Sequence, residues 1–241
     1  MEPASIGGRF QLFFSAGFPL KSLNEGQSPY SIQGGYMDYI LGKLLILPGI
    51  LLGISIHEFS HGYAAVKMGD NTPLMQGRIT LNPLKHIDPM GFICLLMFGF
   101  GWARPVMINA RNFKNPRRDD AIVSLAGPLA NFVVALLFVG LMKLTDMFMP
   151  YTLTTQVIWE VLQSTVTINL VLMIFNLIPI PPLDGHHILG SIGGPKVWNF
   201  YYKYYDHLRF VMLLLIVFNG ISIIIGPIIQ YLYSFLISIF F

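Results

Sequence analysis

Apolar residues gather into long runs along this chain, and four runs approach the roughly 20 residues that a membrane-crossing helix needs. They cover about residues 39–66, 120–144, 157–178 and 208–241. As a single helix the last would reach ~50 Å at 1.5 Å per residue, well beyond the hydrocarbon core. Asn219-Gly220 and Gly226-Pro227 are its natural break points, so it reads as two spans, or as one span plus an interfacial helix. A fifth run, "GFICLLMFGFGWARPV" at 91–106, has too short an apolar part to cross and reads as re-entrant. It leads into an extended "RPVMIN", 104–109, while "GRITLN", 77–82, alternates like a strand, and these two segments are expected to pair. The fold expected is an all-α polytopic membrane protein of about four or five transmembrane helices. Three of them form the core, with a re-entrant segment carrying a small β-sheet or hairpin.

Composition supports that class. The 241 residues are 54% hydrophobic and 11% charged, against roughly 25% charged in soluble domains. Cys94 is the one cysteine, so no internal disulfide forms. The basic residues are too scattered for nucleic-acid binding. Their placement is informative, however. Lys67, Arg78, Lys85, Arg104, Arg111, Lys114, Arg117 and Arg118 lie between the first two spans. Lys196, Lys203 and Arg209 follow the third. If 91–103 is re-entrant, both groups fall on one side, which the bias of cytoplasmic loops toward Lys and Arg assigns to the cytoplasm. Residues 1–36 are a polar, Gly-rich lead-in, separate from a membrane unit over 37–241.

Chemistry enters where polar residues interrupt these runs. "HEFSH", 57–61, puts His57 and His61 one turn apart on one helix face, a spacing that lets two imidazoles hold one metal ion. Glu58, beside the first, is placed to act as general base. Ionisable groups inside a bilayer are costly and usually functional, so a pair of structural core histidines explains this poorly. Catalytic zinc usually takes three protein ligands, and the candidates for the third are Asp184, His186, His187, His86, His207 and Glu160. Asp184 is preferred. It follows the prolines of "NLIPIPPLDG", 176–185, which end the third helix and force extended backbone. His186 and His187 are its rivals. Thr165, Asn169 and Asn176 form a polar stripe on the third span, read mainly as inter-helix hydrogen bonding. Asn176 sits nearest the proposed metal, where its amide suits an oxyanion. On the second span, Asp119 and Asp120 suit a helix N-terminus. Ser124, Gly127 and Asn131 make a slim face for close helix approach. For Asn131 a structural hydrogen bond is the preferred reading, with substrate contact as the alternative. Arg104, Pro105 and Val106 are candidates too, because an extended substrate could add to a sheet edge formed by their segment.

With those residues placed, the chain resembles the site-2 protease family of intramembrane zinc metalloproteases. The resemblance covers about 40–225 and rests on "HEFSH", "SLAGPLAN" (124–131) and "NLIPIPPLDG", in family order on three spans. It is similar to the small prokaryotic members, with no PDZ or CBS domain. The resemblance implies one Zn2+ per chain, held by His57, His61 and Asp184. It also implies Glu58 as general base and then acid, and Asn176 as the residue that steadies the transition state. The implied partners are a membrane-protein substrate with a transmembrane segment and the lipid bilayer; a homo-oligomer stays open. The implied setting is a prokaryotic cell membrane, with the site open to the cytoplasm. Two other readings compete: an inactive relative that binds substrates, and a membrane metal transporter, against which the lack of an inverted repeat counts.

Overall fold

Backbone polar groups in lipid must find partners within their own segment, so apolar runs of this length fold as helices. The computed structural model describes residues 12–14, 36–98 and 100–241, with side chains from Gly42 onward except those of residues 43 and 98–100. In chain order they form β1 (Leu12–Phe14), α1 (Tyr36–Met68), α2 (Thr72–Met75), α3 (Pro89–Phe98) and β2 (Phe100–Trp102). Then come α4 (Pro116–Phe148), α5 (Leu153–Asn176), α6 (Asp184–Gly193), α7 (Pro195–Val217) and α8 (Gly220–Phe240). Among the described residues, four helices are long and apolar enough to cross a membrane: Leu44–Met68 within α1, then α4, α5 and α8. The protein is a multi-pass integral membrane protein. The lead-in expected over 1–36 lies outside the described residues, apart from β1 and Tyr36.

Two expectations change. The last apolar run does break at Asn219, whose left-handed φ of 58° ends α7 and starts α8. Gly226-Pro227 is no break, because Pro227 lies inside α8. Neither 77–82 nor 104–109 is a strand. The small sheet instead pairs β1 antiparallel with β2, Leu12 opposite Trp102, and Ile87 bridges Ala103. The polar and apolar alternation at 77–82 and 104–109 serves a different end: Arg78 and Val106 turn inward and are buried, while Leu81 and Arg104 face outward.

The core of the bundle is α1, α4 and α5, each packed on the other two. Small residues allow it. A Cβ on Gly49 would fall 2.8 Å from Thr165 Cα, and one on Gly53 would fall 2.7 Å from Leu172 Cδ1. α4 shows the patterning of a membrane helix: Leu129, Val133, Leu137 and Leu141 make an exposed apolar stripe, with Asp120, Ser124, Gly127 and Asn131 buried opposite. Caps set the helix starts. Asn115 precedes Pro116, and its N–H donates to Asp119 Oδ2 at 2.8 Å. Thr152 and Thr155 make a reciprocal capping box for α5.

The start of α4 also grips α6. Arg117 Nε and Nη2 donate to the Ser191 carbonyl at 3.2 and 3.1 Å, satisfying the C-terminal end of α6. Asp120 Oδ2 accepts from His187 Nδ1 and Ser191 Oγ, both at 3.1 Å. These contacts bring the basic segment before α4 and the segment after α5 to one end of the bundle.

Candidate active site

The helical turn of α1 puts His57 and His61 on the face that meets α4. Their ring orientations follow from fixed partners. His61 Nδ1 lies 2.6 Å from the Val123 carbonyl, which can only accept, so this nitrogen carries the proton. Asn131 Nδ2 donates to the Gly53 carbonyl (3.0 Å) and to Asn169 Oδ1 (2.9 Å). Its Oδ1 is left to accept from His57 Nδ1 at 2.5 Å. Neutral imidazole carries one N–H, so both Nε2 atoms present lone pairs. Those atoms stand 2.8 Å apart, each 3.1 Å from Asp184 Oδ2.

Three lone-pair donors this close repel one another unless a cation lies between them. A tetrahedral zinc with bonds of about 2.0–2.1 Å sets its ligand atoms ~3.3 Å apart, against 3.1 Å to the carboxylate and 2.8 Å between the rings here. The donor set fits the group: two imidazoles and a carboxylate, with each imidazole oriented from behind. Gly127 completes the cradle. A Cβ there would lie 2.6 Å from His57 Nε2 and closer still to His61 Nε2, so only glycine leaves the space open.

Asp184 reaches the histidines differently from the sequence expectation. It is not on extended backbone but is the first residue of α6. Residues 177–183 form a tight turn rather than a straight proline segment, and Tyr201 Oη on α7 donates to the Pro179 carbonyl at 2.9 Å. Gly185 allows that turn, since a Cβ there would meet the Ile178 carbonyl at 2.5 Å. The rival ligands point elsewhere. His186 Nδ1 donates to the Leu183 carbonyl, His187 pairs with Asp120, and His86 Nε2 donates to the Thr80 carbonyl. Among the described residues, His57, His61 and Asp184 are the group of metal-ligating side chains that converge.

Glu58 is 2% exposed, and its Oε2 accepts the Val106 N–H at 2.8 Å. Val106 is buried against this face of α1. Pro105 is half-buried and Arg104 is exposed. Asn176 ends α5 with one amide N–H donated to the Leu172 carbonyl at 2.8 Å, leaving the second unspent. Asn131, a candidate substrate contact, is fully buried with its side chain committed to His57, Gly53 and Asn169. Its place is behind the histidine, not in front of a substrate. The clue was available in its spacing, one turn beyond Gly127 on the same face.

The comparisons agree with this geometry. Residues 141–218 match Peptidase family M50. The chain is 43% identical over 153 residues to YwhC of Bacillus subtilis, described as a candidate zinc metalloprotease, covering 61% of this chain and 68% of that one. It is 32% identical over 158 residues to Rip2 of Mycolicibacterium smegmatis, covering 64% and 59%. To MJ0611 of Methanocaldococcus jannaschii it is 31% identical over 163 residues, covering 66% and 75%. The last two carry the same description. The chain thus spans rather more than half the length of Rip2. No solved structure is a significant match.

Proposed function

The chain belongs to peptidase family M50, the site-2 protease family of zinc metalloproteases, and from that premise we propose that it cuts peptide bonds in or near transmembrane segments of other membrane proteins. The observation that carries this reading is the depth of the site. His57, Glu58 and His61 sit inside a candidate span that runs from Leu44 to Met68. At 1.5 Å per residue they lie about 10–17 Å in from the Met68 end and about 20–26 Å from the other. All three, with Asp184, are 1–2% exposed. The Met68 end is the one with the Lys/Arg-rich segments, which supports a site facing the cytoplasm of a prokaryotic cell membrane.

His57, His61 and Asp184 would hold the zinc. When bound, it supplies Lewis-acid activation of a water and of the scissile carbonyl. Glu58 takes the proton of the attacking water on the carboxylate oxygen that Val106 leaves open, then passes it to the amine leaving group. The unspent N–H of Asn176 donates to the developing oxyanion. His57 is held by Asn131 and His61 by the Val123 carbonyl, so neither ring turns during the reaction. Arg104 and Pro105 line the approach to Glu58 and contact the unwound substrate, whereas Val106, expected among these contacts, is 1% exposed with its N–H on Glu58 and lies behind them.

The test is a cleavage assay with purified protein and single-span substrates in liposomes. Glu58→Gln keeps one zinc and loses turnover by about 10²–10⁴-fold. Zinc flux across the liposomes with no cleavage by the wild type would replace the peptidase reading with a transporter.

A further inference from the structure

Arg78 lies between α2 and α3, is 7% exposed, and among the described residues gives its guanidinium to backbone carbonyls. Nη1 donates to the Lys85 carbonyl, and Nη2 to the carbonyls of Arg104 and, at 2.9 Å, Pro105. Among the described residues no carboxylate lies within ion-pair distance of it. A buried cation usually sits with an anion or in a full set of acceptors. Here the acceptors are three carbonyls, and two belong to the segment that crosses Glu58. The opposite charge that acts on Arg78 is that of Glu58 itself.

We infer that Arg78 is a positioning residue for Glu58, acting through the single peptide unit between Pro105 and Val106. This rests on the reading of Glu58 as the base. A trans peptide is planar, and its C=O and N–H point in opposite directions. The Pro105–Val106 bond is not among the cis bonds of the chain. Holding the Pro105 carbonyl on Arg78 therefore aims the Val106 N–H the other way, and it lands 2.8 Å from Glu58 Oε2. The guanidinium also polarises that peptide, and a polarised N–H makes the stronger hydrogen bond. Glu58 is thereby fixed in one rotamer, with one oxygen committed and the other turned to the water. Arginine is required because its planar fork spans several carbonyls at once. A lysine ammonium is a point charge on a flexible stem.

The sequence makes this directly measurable. Pro105–Val106 is the only Pro–Val pair in the chain. Labelling with 13C-carbonyl proline and 15N-valine gives one cross-peak in a carbonyl-to-amide NMR experiment on the whole protein in micelles. Arg78→Lys, and separately Arg78→Gln, should move the Val106 amide proton upfield. The same variants should lower kcat about 10- to 100-fold while KM and bound zinc stay as in the wild type. A Val106 signal that does not move, or one that moves with kcat retained, overturns the inference. Glu58→Asp, with Arg78 intact, withdraws the carboxylate and should move the same signal upfield. A signal that stays put there overturns the inference even if the Arg78 variants do not fold. If the wild type cuts no membrane substrate, the peptidase reading fails, and the cross-peak still decides what Arg78 does.

Discussion

Gly127→Ala is the sharpest perturbation the site offers, because two effects of known sign oppose each other. Alanine is the better helix former, by about 1 kcal/mol in a helix interior. On propensity alone, α4 gains. The added methyl, however, would sit 2.6 Å from His57 Nε2, about 0.8 Å inside the 3.4 Å at which ordinary contact begins, and the overlap with His61 Nε2 is worse. Neither ring can swing aside freely. Each is tied at Nδ1, one to Asn131 and the other to the Val123 carbonyl. Inserting a methyl into a packed core costs typically 1–3 kcal/mol, so the metal-free protein should lose at most about 2 kcal/mol after the propensity gain. The metal site should lose far more. Zinc–ligand distances tolerate only about 0.2 Å, and a displacement several times larger exceeds what outer-shell changes do, which is already about 10- to 100-fold in affinity. We expect zinc affinity to fall at least about 100-fold. The assay is a competition titration against a chromophoric chelator in detergent, with melting of the metal-free protein measured alongside. A variant that folds and binds one zinc with wild-type affinity would refute the placement of Gly127 beneath both ligand atoms.

Three further outcomes follow from the same contacts. Asn131→Ala removes the acceptor that fixes the His57 tautomer and should weaken zinc binding about 10- to 100-fold, read in the same titration. Asp184→Ala should abolish stoichiometric zinc by metal analysis, whereas His186→Gln, whose ring is turned to the Leu183 carbonyl, should retain it. Asp70, in the loop after α1, accepts from the Thr72 N–H and hydroxyl, the Asn109 N–H and the Asn112 amide. Burial pushes its carboxyl up, but these four donors outweigh burial and hold it below the ordinary value. A depressed folded-state value means that the stabilisation is present above the unfolded pKa of about 4 and is lost as the pH falls through the lower folded value. The melting temperature of the wild type should therefore drop in that acid range. Asp70→Asn should be less stable at neutral pH and show a smaller drop.

The parts of this molecule legible in the sequence are those that depend on neighbours along the chain. An i, i+4 pair of histidines shares a face whatever surrounds it, and an apolar run of 20 residues must form a helix in lipid. The last run breaks at Asn219, whose left-handed backbone asparagine tolerates better than most residues. What the sequence hid depends on residues far apart. Asn131 could be seen as a slim polar face on α4, but its partner is 74 positions away on α1. The Glu58–Val106 contact spans 48 positions. The alternation at 77–82 and 104–109 has the period of a strand, yet its inward positions are there to bring one guanidinium and one amide to the base.

The buried charges explain why these distant pieces must arrive together. His57, Glu58, His61 and Asp184 are all within a span or against one, nearly without exposure. Two carboxylates placed there alone would be a large uncompensated cost. A divalent cation held by the trio brings the local sum to zero, and every remaining hydrogen-bonding nitrogen of the two imidazoles already has a protein acceptor. The metal is thus part of what makes the interior electrically tolerable as well as what makes it reactive. Arg78 adds a positive charge beside that sum, and Glu58 feels it directly. Its guanidinium is held on three carbonyls, and through one of them it also reaches Glu58 as an oriented dipole, the Val106 N–H, which holds the carboxylate without a salt bridge. A base must be held yet stay willing to take a proton, and a dipole meets both needs where an ion pair would meet only the first.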